Sequence, residues 1–361
     1  MIPSIQHTSP VQAQYLSFID ALHEADFRGD LNPDYANRTV LATDNSIYQV
    51  LPQGVVYPRT VEDLVLISRL SQQERFRTIV LSARGGGTGT NGQSLTDGLV
   101  VDTSRHMNQI LEINVEERWA RVQCGVVKDQ LNAALKPHGL FFAPDLSTSN
   151  RATIGGMINT DASGQGSCRY GKTRDHVLEL RTVLLDGSDW TSRPLDQQEL
   201  EAIGQRNDRV GTVHRVLDQV QREHAELIEA TFPKLNRCLT GYDLAHLRTE
   251  DGQFDLNSIL CGAEGTLGFV AEAKLNLLPL PNVSALVNVN YRDFNAALRD
   301  ATHLMAANPT SIETVDATVL NLAMGDIVWH SVAEFFPPPT NGAKIQGINL
   351  VEYTADTEEE L

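Results

Sequence analysis

The residues best suited to chemistry form the glycine-rich stretch RGGGTGTNG at positions 84–92, in which five of nine residues are glycine. Glycine allows positive φ and lets the backbone come close to a ligand. Successive backbone N–H groups in such a turn form a concavity that binds anions, and Arg84 can add a charged fork. The stretch therefore predicts a cradle for a phosphate or pyrophosphate, with a plain flexible loop as the alternative.

Positions 87–92 also satisfy the dinucleotide fingerprint G-x-G-x-x-G. That fingerprint needs a strand before it and a helix directly after it, because the helix N-terminus holds the pyrophosphate. The apolar run 78–82 predicts the strand, but residues 93–98 are short and turn-like, and residues 99–102 predict another strand. We therefore expect the loop to join strand to strand, which disfavours a Rossmann fold.

A second nucleotide pattern, G-x-x-x-x-G-K-[ST], is matched at every position by Gly166 to Thr173. A P-loop needs a buried strand before it and a helix after it, with Lys172 on the phosphates and Thr173 on magnesium. The preceding residues 159–165 are small and polar, whereas residues 177–185 are rich in β-branched side chains and predict a strand. Neither flanking segment has the secondary structure that a P-loop requires, so a P-loop NTPase is kept only as an alternative.

A long tract of small residues occupies positions 147–166 and is dominated by Ser, Thr, Asn, Ala and Gly. A solvated linker would carry more Glu, Lys and Pro. Small residues let the backbone pack against a flat ligand with its N–H groups directed at ligand heteroatoms. The alternative is a tightly packed core segment that passes from helix to loop.

The elements that position these stretches follow from apolar periodicity and breakers. Thr60 is a candidate N-cap and Pro137 a candidate stop signal. The expected helices lie at 11–29, at 60–75, at 126–136 and within 194–240. The expected strands lie at 55–58, 78–82, 99–102, within 111–122, at 141–144, at 177–185 and at 271–278. The chain thus opens as β-α-β, with the glycine stretch at the end of the second strand.

A boundary is predicted at the prolines 279 and 281. Beyond it, residues 286–289 predict a strand, residues 294–307 a helix and residues 311–315 a strand. This order resembles the start of a ferredoxin-like α+β domain. We expect the segment, which ends in an acidic tail, to be too short to close a core of its own.

The composition of the chain argues against several classes of partner and metal site. With 361 residues there is room for two domains, and 41% apolar residues predict a sizeable core. A formal charge of -17 argues against nucleic acid and anionic membrane surfaces as partners. The four cysteines, Cys124, Cys168, Cys238 and Cys261, contain no C-x-x-C pair, so iron–sulfur and zinc-ribbon sites are not expected. No apolar run approaches membrane-spanning length and no signal peptide is evident, so we expect a cytoplasmic protein.

Several motifs occur together and in order: Pro58 with the helix after it, the 84–92 loop, Gly155 and Gly156 with Asn159, residues 170–173 with Asp175, and EGTLG at 264–268. In combination they resemble the FAD-binding domain of the vanillyl-alcohol oxidase and p-cresol methylhydroxylase (PCMH) type. More narrowly, the chain is similar to the bacterial FAD-linked D-2-hydroxyglutarate and D-lactate dehydrogenases. The false P-loop then corresponds to a Tyr-Gly turn at the flavin.

The resemblance implies an α+β fold. Residues 1–44 would be an N-terminal helical extension, and residues 45–280 an FAD-binding PCMH-type domain of two α+β subdomains. Residues 281–361 would begin the ferredoxin-like C-terminal substrate domain of FAD-linked oxidases, which we expect to be incomplete.

The resemblance also implies FAD as the cofactor. Relatives with covalent FAD often carry a histidine in the glycine loop, where this chain has Thr88, so we expect non-covalent FAD. Residues 85–89 would hold the pyrophosphate, and Gly155, Gly156 and Asn159 would lie along the isoalloxazine and ribityl chain. The full set implied to bind the cofactor is Arg84, Gly85, Gly86, Gly87, Thr88, Gly89, Thr90, Asn91, Pro144, Asp145, Thr148, Gly155, Gly156, Asn159, Ser163, Gly164, Tyr170, Gly171, Asp175, Val177, Gly265 and Val270.

The implied reaction is oxidation of a D-2-hydroxy acid, D-2-hydroxyglutarate or D-lactate, to the 2-oxo acid by hydride transfer to flavin N5, with electrons passing on to an unidentified acceptor. A homo-oligomer is a candidate assembly. The family's metal ligands and catalytic base are not evident in this sequence, and we expect the base beyond Leu361. The chain is therefore expected to be the flavin-binding portion of a longer enzyme, or a flavin-binding module without turnover of its own.

Four residues complete the set of candidates. Arg151, Arg169 and Lys172 could contact the substrate near the flavin, but exposed surface charge is the favoured interpretation of each. His330, beside Trp329, is the first candidate base if one lies within the chain.

Overall fold

The computed structural model describes residues 9–235, 241–336 and 344–361; Cys238 lies outside the described residues. The chain divides into two compact units. The first contains the residues up to Phe142, together with Ser147–Ala162 and Lys172–Leu278, and the second contains Ala143–Leu146, Ser163–Gly171 and Pro279–Leu361. No helix among the described residues has both the length and the apolar character needed to cross a bilayer.

Strands and helices are numbered along the chain. The strands are β1 (Asp30–Asn32), β2 (Gly54–Tyr57), β3 (Leu81–Arg84), β4 (Leu99–Asp102), β5 (Ile110–Asn114), β6 (Trp119–Gln123), β7 (Leu140–Phe141), β8 (Val177–Leu184), β9 (Asp189–Ser192), β10 (Gly268–Asn276), β11 (Leu278–Pro279), β12 (Val283–Tyr291), β13 (Ser311–Asp316) and β14 (Gly347–Ala355). The α-helices are α1 (Ala13–Glu24), α2 (Tyr35–Val40), α3 (Val61–Ser71), α4 (Lys128–Leu135), α5 (Ile154–Asn159), α6 (Ser167–Tyr170), α7 (Gln197–Gly204), α8 (Arg209–Glu223), α9 (Ala225–Thr231), α10 (Asn257–Leu260), α11 (Phe294–Leu304), α12 (Ala317–Met324) and α13 (Trp329–Val332).

The first sheet of the first unit has the strand order β1-β2-β4-β3, with β2, β4 and β3 parallel. Every residue of β2 and β4 is buried, as expected for parallel strands covered on both faces. Helix α3 lies between β2 and β3 in the chain, in the predicted β-α-β order. Its N-terminus carries the predicted cap: Thr60 accepts the Asp63 N–H, and the Asp63 carboxylate accepts the Thr60 N–H in return.

The predicted strand at 78–82 is displaced in the structure to β3, Leu81–Arg84. Phe76 accepts the Ile79 N–H in a turn that holds residues 76–79, so extended backbone starts only at Leu81. Arg84 is therefore the last residue of a strand, opposite Asp102 in the parallel ladder.

The second sheet of the first unit is antiparallel, with the order β5-β6-β10-β8-β9. Buried and partly exposed residues alternate along β6, as expected when one face packs on a core. Charged side chains pair across the strands on this sheet: Arg121 with Glu179 at 2.7 Å, and Arg181 with Glu272 at 3.0 Å. Such partly exposed pairs contribute little stability individually but help to fix strand register.

The second unit contains a three-stranded antiparallel sheet of order β12-β14-β13, with α11 packed on it. The predicted strand–helix–strand order is confirmed, and β14 is the central strand. The buried side chain of Asn349 on β14 donates to the Ala297 carbonyl of α11 at 3.0 Å. The molecule is therefore α+β, as the sequence predicts.

Lys172 departs from the sequence interpretation, which favoured exposed charge. Arg151 and Arg169 are exposed, but Lys172 is only 2% exposed, and its Nζ lies 2.7 Å from Oδ2 of Asp161. Asp161 adopts φ +44°, and its other oxygen accepts the Arg174 N–H at 2.9 Å. A buried ammonium needs such a carboxylate, because an isolated charge is costly to desolvate. The pair joins two segments eleven residues apart, which local patterns do not reveal.

The pair gives a stability prediction. Lys172→Met leaves the Asp161 carboxylate buried without its ammonium partner, so we expect the free energy of unfolding to fall by about 3–5 kcal/mol. The double variant Lys172→Met with Asp161→Leu removes both charges and should recover most of that loss. Urea unfolding of the wild type, the single variant and the double variant measures both effects. A single variant as stable as the wild type would contradict the assignment.

Candidate functional site

The glycine loop connects β3 to β4 without a helix: residues 85–98 contain only turns and bends. The strand–loop–strand prediction is confirmed, and the dinucleotide fingerprint lacks the helix that a Rossmann fold requires. The P-loop alternative also lacks its flanks. Residues 160–166 form no strand, and the segment after Lys172 passes through one 3₁₀ turn, Arg174–His176, into strand β8 and not into an α-helix.

The loop presents a row of backbone donors. Among the described residues, the N–H groups of positions 86–90 have no hydrogen-bond acceptor, whereas the Asn91 N–H donates to Oε1 of Gln93 at 3.1 Å. Gly87 adopts φ +61°, which turns the backbone so that successive N–H groups can converge. Most of these positions are only partly exposed. The loop can therefore donate several hydrogen bonds to one anion.

The loop packs directly against the segment before α5. A Cβ atom added at Gly85 would lie 2.1 Å from Oγ1 of Thr153, and one added at Gly86 would lie 2.2 Å from the carbonyl oxygen of Arg151. No side chain fits at either place. The two glycine-containing stretches that the sequence assigned to one ligand thus meet in the structure. Thr153, which the sequence analysis did not single out, caps α5 by accepting the Gly156 N–H at 3.4 Å.

The other side of α5 also packs closely, against Cys124. A Cβ atom added at Gly155 would lie 2.7 Å from Cβ of Cys124. Burial raises the pKa of the Cys124 thiol to about 11, so this cysteine is a neutral packing group at physiological pH. Helix α5 is therefore fixed by backbone contacts on two sides, and only glycine at its start allows this.

Asn159 ties the end of α5 to a second turn. Its Nδ2 donates to the Gly155 carbonyl at 2.8 Å, and its Oδ1 accepts the Gly265 N–H at 3.0 Å. The Glu264 N–H donates to the Asn159 carbonyl at 2.9 Å. The added Cβ position of Gly265 lies 3.7 Å from Cβ of Ala83 on β3. The turn at 264–268, the glycine loop and α5 are thus brought together.

Arg84 was expected to direct its guanidinium at an anion, but it is 8% exposed and bonded to protein acceptors. Nη2 donates to the Thr43 carbonyl at 2.8 Å, and Nη1 to the Leu41 carbonyl at 3.3 Å and to Oγ of Ser94 at 3.4 Å. Burial raises the pKa of the neighbouring Asp102 carboxyl.

The predicted residues are divided between the two units. Those in the first unit are Arg84, Gly85, Gly86, Gly87, Thr88, Gly89, Thr90, Asn91, Thr148, Gly155, Gly156, Asn159, Asp175, Val177, Gly265 and Val270. Those in the second are Pro144, Asp145, Ser163, Gly164, Tyr170 and Gly171. Their assignment to one ligand stays a prediction.

Within the second unit, the segment at 163–171 bonds to the strands. A Cβ atom added at Gly164 would lie 2.1 Å from the Asp145 carbonyl oxygen, so these two predicted stretches also pack closely. Nη1 of Arg169 donates to Oγ1 of Thr310 at 3.2 Å, and the Tyr170 hydroxyl lies 3.2 Å from Oγ1 of Thr354. The sequence did not predict these polar contacts, because Thr310 and Thr354 are more than 130 residues away.

Two observations bear on metal binding and proton transfer in the part of the chain that is described. No group of three or more His, Cys, Asp and Glu side chains is placed to hold a metal ion there. His330, the first candidate base, lies on α13 and is exposed.

Two family models match the chain. An FAD binding domain matches residues 52–191, and the C-terminal domain of FAD linked oxidases matches residues 280–361. Among solved structures, an alkyldihydroxyacetonephosphate synthase superposes with a TM-score of 0.66 at 19% identity, covering 97% of this chain and 58% of that one. That likeness supports the fold.

Curated relatives are similar over the whole chain. A D-2-hydroxyglutarate dehydrogenase of Pseudomonas putida is 64% identical over 361 residues, which are 100% of this chain and 36% of the relative. One of Escherichia coli is 52% identical, over 99% of this chain and 35% of the relative. The glycolate oxidase subunit GlcD of Bacillus subtilis is 30% identical over 76% of this chain and 47% of its own length. The chain spans about a third of the length of the dehydrogenases it matches. With both family domains present in order, the chain belongs to the PCMH-type FAD-linked oxidases.

Proposed function

We propose that this chain binds FAD without a covalent bond and serves the oxidation of a D-2-hydroxy acid, with D-2-hydroxyglutarate favoured over D-lactate. FAD as cofactor follows from the family. The choice of substrate is supported by the names of relatives that are 64%, 54% and 52% identical. These relatives are about three times as long, so the activity is proposed for the whole protein of which these residues form the matched part.

The observation that carries the proposal is the row of open N–H groups at positions 86–90, held against residues 151–156. The residues present fit the FAD pyrophosphate, because successive backbone donors at 86–90 are without a protein acceptor in the described residues and the loop there is built from glycines. The loop would bind the two phosphates and orient the cofactor. Gly155, Gly156 and Asn159 would lie along the isoalloxazine and ribityl chain, on a helix that backbone contacts hold in place. Thr88 supplies no histidine ring for a covalent bond to flavin.

When bound, FAD supplies a hydride acceptor, N5, for the C2 hydrogen of the hydroxy acid. A base must also take the hydroxyl proton. We expect that base to lie beyond Leu361, and His330 is the first candidate if a base lies within this chain. The electron acceptor remains unidentified, and a homo-oligomer and a cytoplasmic location remain proposals. The boundaries 1–44, 45–280 and 281–361 are proposed as domains, supported by the family matches at 52–191 and 280–361.

The cofactor proposal predicts that the purified chain is yellow and releases intact FAD on treatment with acid or heat. The physical reason is that hydrogen bonds and packing, without a covalent bond, would hold the cofactor. Absorption spectroscopy before and after precipitation of the protein measures this. Protein that is colourless and cannot be reconstituted with FAD would overturn the proposal. Flavin that stays with the precipitate would contradict its non-covalent part.

Placement of the pyrophosphate is tested by Gly87→Val. A side chain there would lie 2.5 Å from Nη2 of Arg84 and would strain a φ of +61° by about 1–3 kcal/mol. We expect FAD affinity to fall at least about tenfold, which corresponds to about 1.4 kcal/mol. Gly139→Val is the matched control, because Gly139 has φ +65° and no atom within 4 Å of its added Cβ. It should lose stability but keep FAD affinity. Equal affinity in both variants would place the pyrophosphate elsewhere.

Turnover by the 361-residue chain tests where the base lies. We expect the chain with FAD to oxidise D-2-hydroxyglutarate and D-lactate slowly or not at all in an assay with an artificial electron acceptor. Hydride transfer needs the substrate carboxylate clamped and its hydroxyl beside a base. Rapid turnover would show that a base lies within the chain, and His330→Ala would then be the first variant to assay.

A further inference from the structure

The glycine loop is supported by a hairpin that lies outside the matched FAD-binding region. Thr43 and Gln49 form an antiparallel bridge, and the Val50 N–H donates to the Ala42 carbonyl at 2.9 Å, which defines a hairpin at 42–50. The family match begins only at residue 52. The hairpin thus lies before the residues that the FAD binding domain model matches.

Hydrogen bonds connect the hairpin to the loop. The Asn45 N–H donates to the Gly87 carbonyl at 3.0 Å. Nη2 of Arg84 donates to the Thr43 carbonyl at 2.8 Å, and the same atom lies 2.5 Å from the position of a Cβ atom added at Gly87. Ser94, near the end of the same connection, accepts from Arg84 and donates to Oδ2 of Asp44 at 3.0 Å. The loop is thus bonded to the hairpin at its start, its middle and its end.

The charges around Arg84 favour a supporting role. Burial of the guanidinium lowers the pKa of Arg84, and the nearby carboxylates of Asp102 and Asp44 act against this effect. A phosphate placed on this guanidinium would also meet the repulsion of both carboxylates. The backbone donors at 86–90 face no such conflict.

We infer that Arg84, Ser94 and Asp44 form a brace that holds the glycine loop in its FAD-binding conformation, and that Arg84 is a positioning residue and not a phosphate ligand. The inference rests on the proposed function, because it concerns the same loop. The brace acts by keeping the N–H groups of 86–90 preorganised, so that binding does not have to order them.

The first test is a fluorescence titration of the FAD-free protein with FAD. We expect Arg84→Lys and Asp44→Ala each to weaken FAD binding by about tenfold, and the double variant to be hardly weaker than either single variant, because residues of one network are not additive. Ser94→Ala should weaken binding in the same direction. Asp97→Asn is the control, since it removes an exposed carboxylate from the same connection and should keep wild-type affinity.

A direct phosphate contact predicts the opposite sign for Asp44→Ala. Removing a carboxylate beside an anion site would then leave FAD affinity unchanged or increase it, and that result would overturn the inference. Should Arg84→Lys lose its circular dichroism signal and fail to fold, the Asp44→Ala and Ser94→Ala titrations decide alone.

The second test needs no FAD. Hydrogen exchange of the peptide covering 42–50 should become several-fold faster in Ser94→Ala than in the wild type, because the hairpin loses the hydrogen bond between Ser94 and Asp44 that ties it to the loop. Unchanged exchange would overturn the brace. If the wild-type protein fails to bind FAD, the proposed function fails, while this exchange comparison still tests the brace.

Discussion

The close approach of two backbone segments is the constraint on which the site depends. Gly85 and Gly86 lie so near to Thr153 and Arg151 that added Cβ atoms would be about 2 Å from their neighbours. Glycine at both positions costs conformational entropy in the unfolded chain. Because neither residue carries a side chain, the loop can pack directly against the segment before α5. A similar close approach accounts for Gly155 in α5, whose added Cβ atom would lie 2.7 Å from Cβ of Cys124.

Support of the loop comes from residues outside the glycine loop itself. The parallel strands β3 and β4 fix where the loop starts and ends, Asn159 fixes the far end of α5, and the 42–50 hairpin bonds to the loop's carbonyl side. A buried ion pair between Lys172 and Asp161 links the two ends of the neighbouring segment 161–172. These contacts are buried or partly buried, so they resist solvent screening better than surface pairs. The flavin chemistry belongs to the cofactor, and the protein contributes rigid placement.

Much of this organisation was predictable from local sequence. The glycine loop between two strands, the helix capped by Thr60 and the strand–helix–strand order after Pro281 depend on neighbours within a few residues, and the structure confirms them. The family motifs led to FAD. Three features were missed for one physical reason. These features are the burial of Lys172, the hydrogen bonds of Arg84 to the hairpin and the central position of β14 in its sheet. Each depends on partners 11 to more than 30 residues away in the chain, and apolar periodicity gives no information about such distant partners. The exposed-charge interpretation of Lys172 was wrong because its buried carboxylate partner cannot be recognised by spacing.

The central claim, that the backbone amides of positions 86–90 bind the FAD pyrophosphate, is tested most directly by NMR on the ¹⁵N-labelled protein. Titration with FAD is compared with titration with riboflavin, which has the same ring system and no phosphates. The account predicts that FAD shifts the amide signals of Gly86, Gly87, Thr88, Gly89 and Thr90 downfield and that riboflavin does not. Binding of FAD that leaves these five signals in place would contradict it.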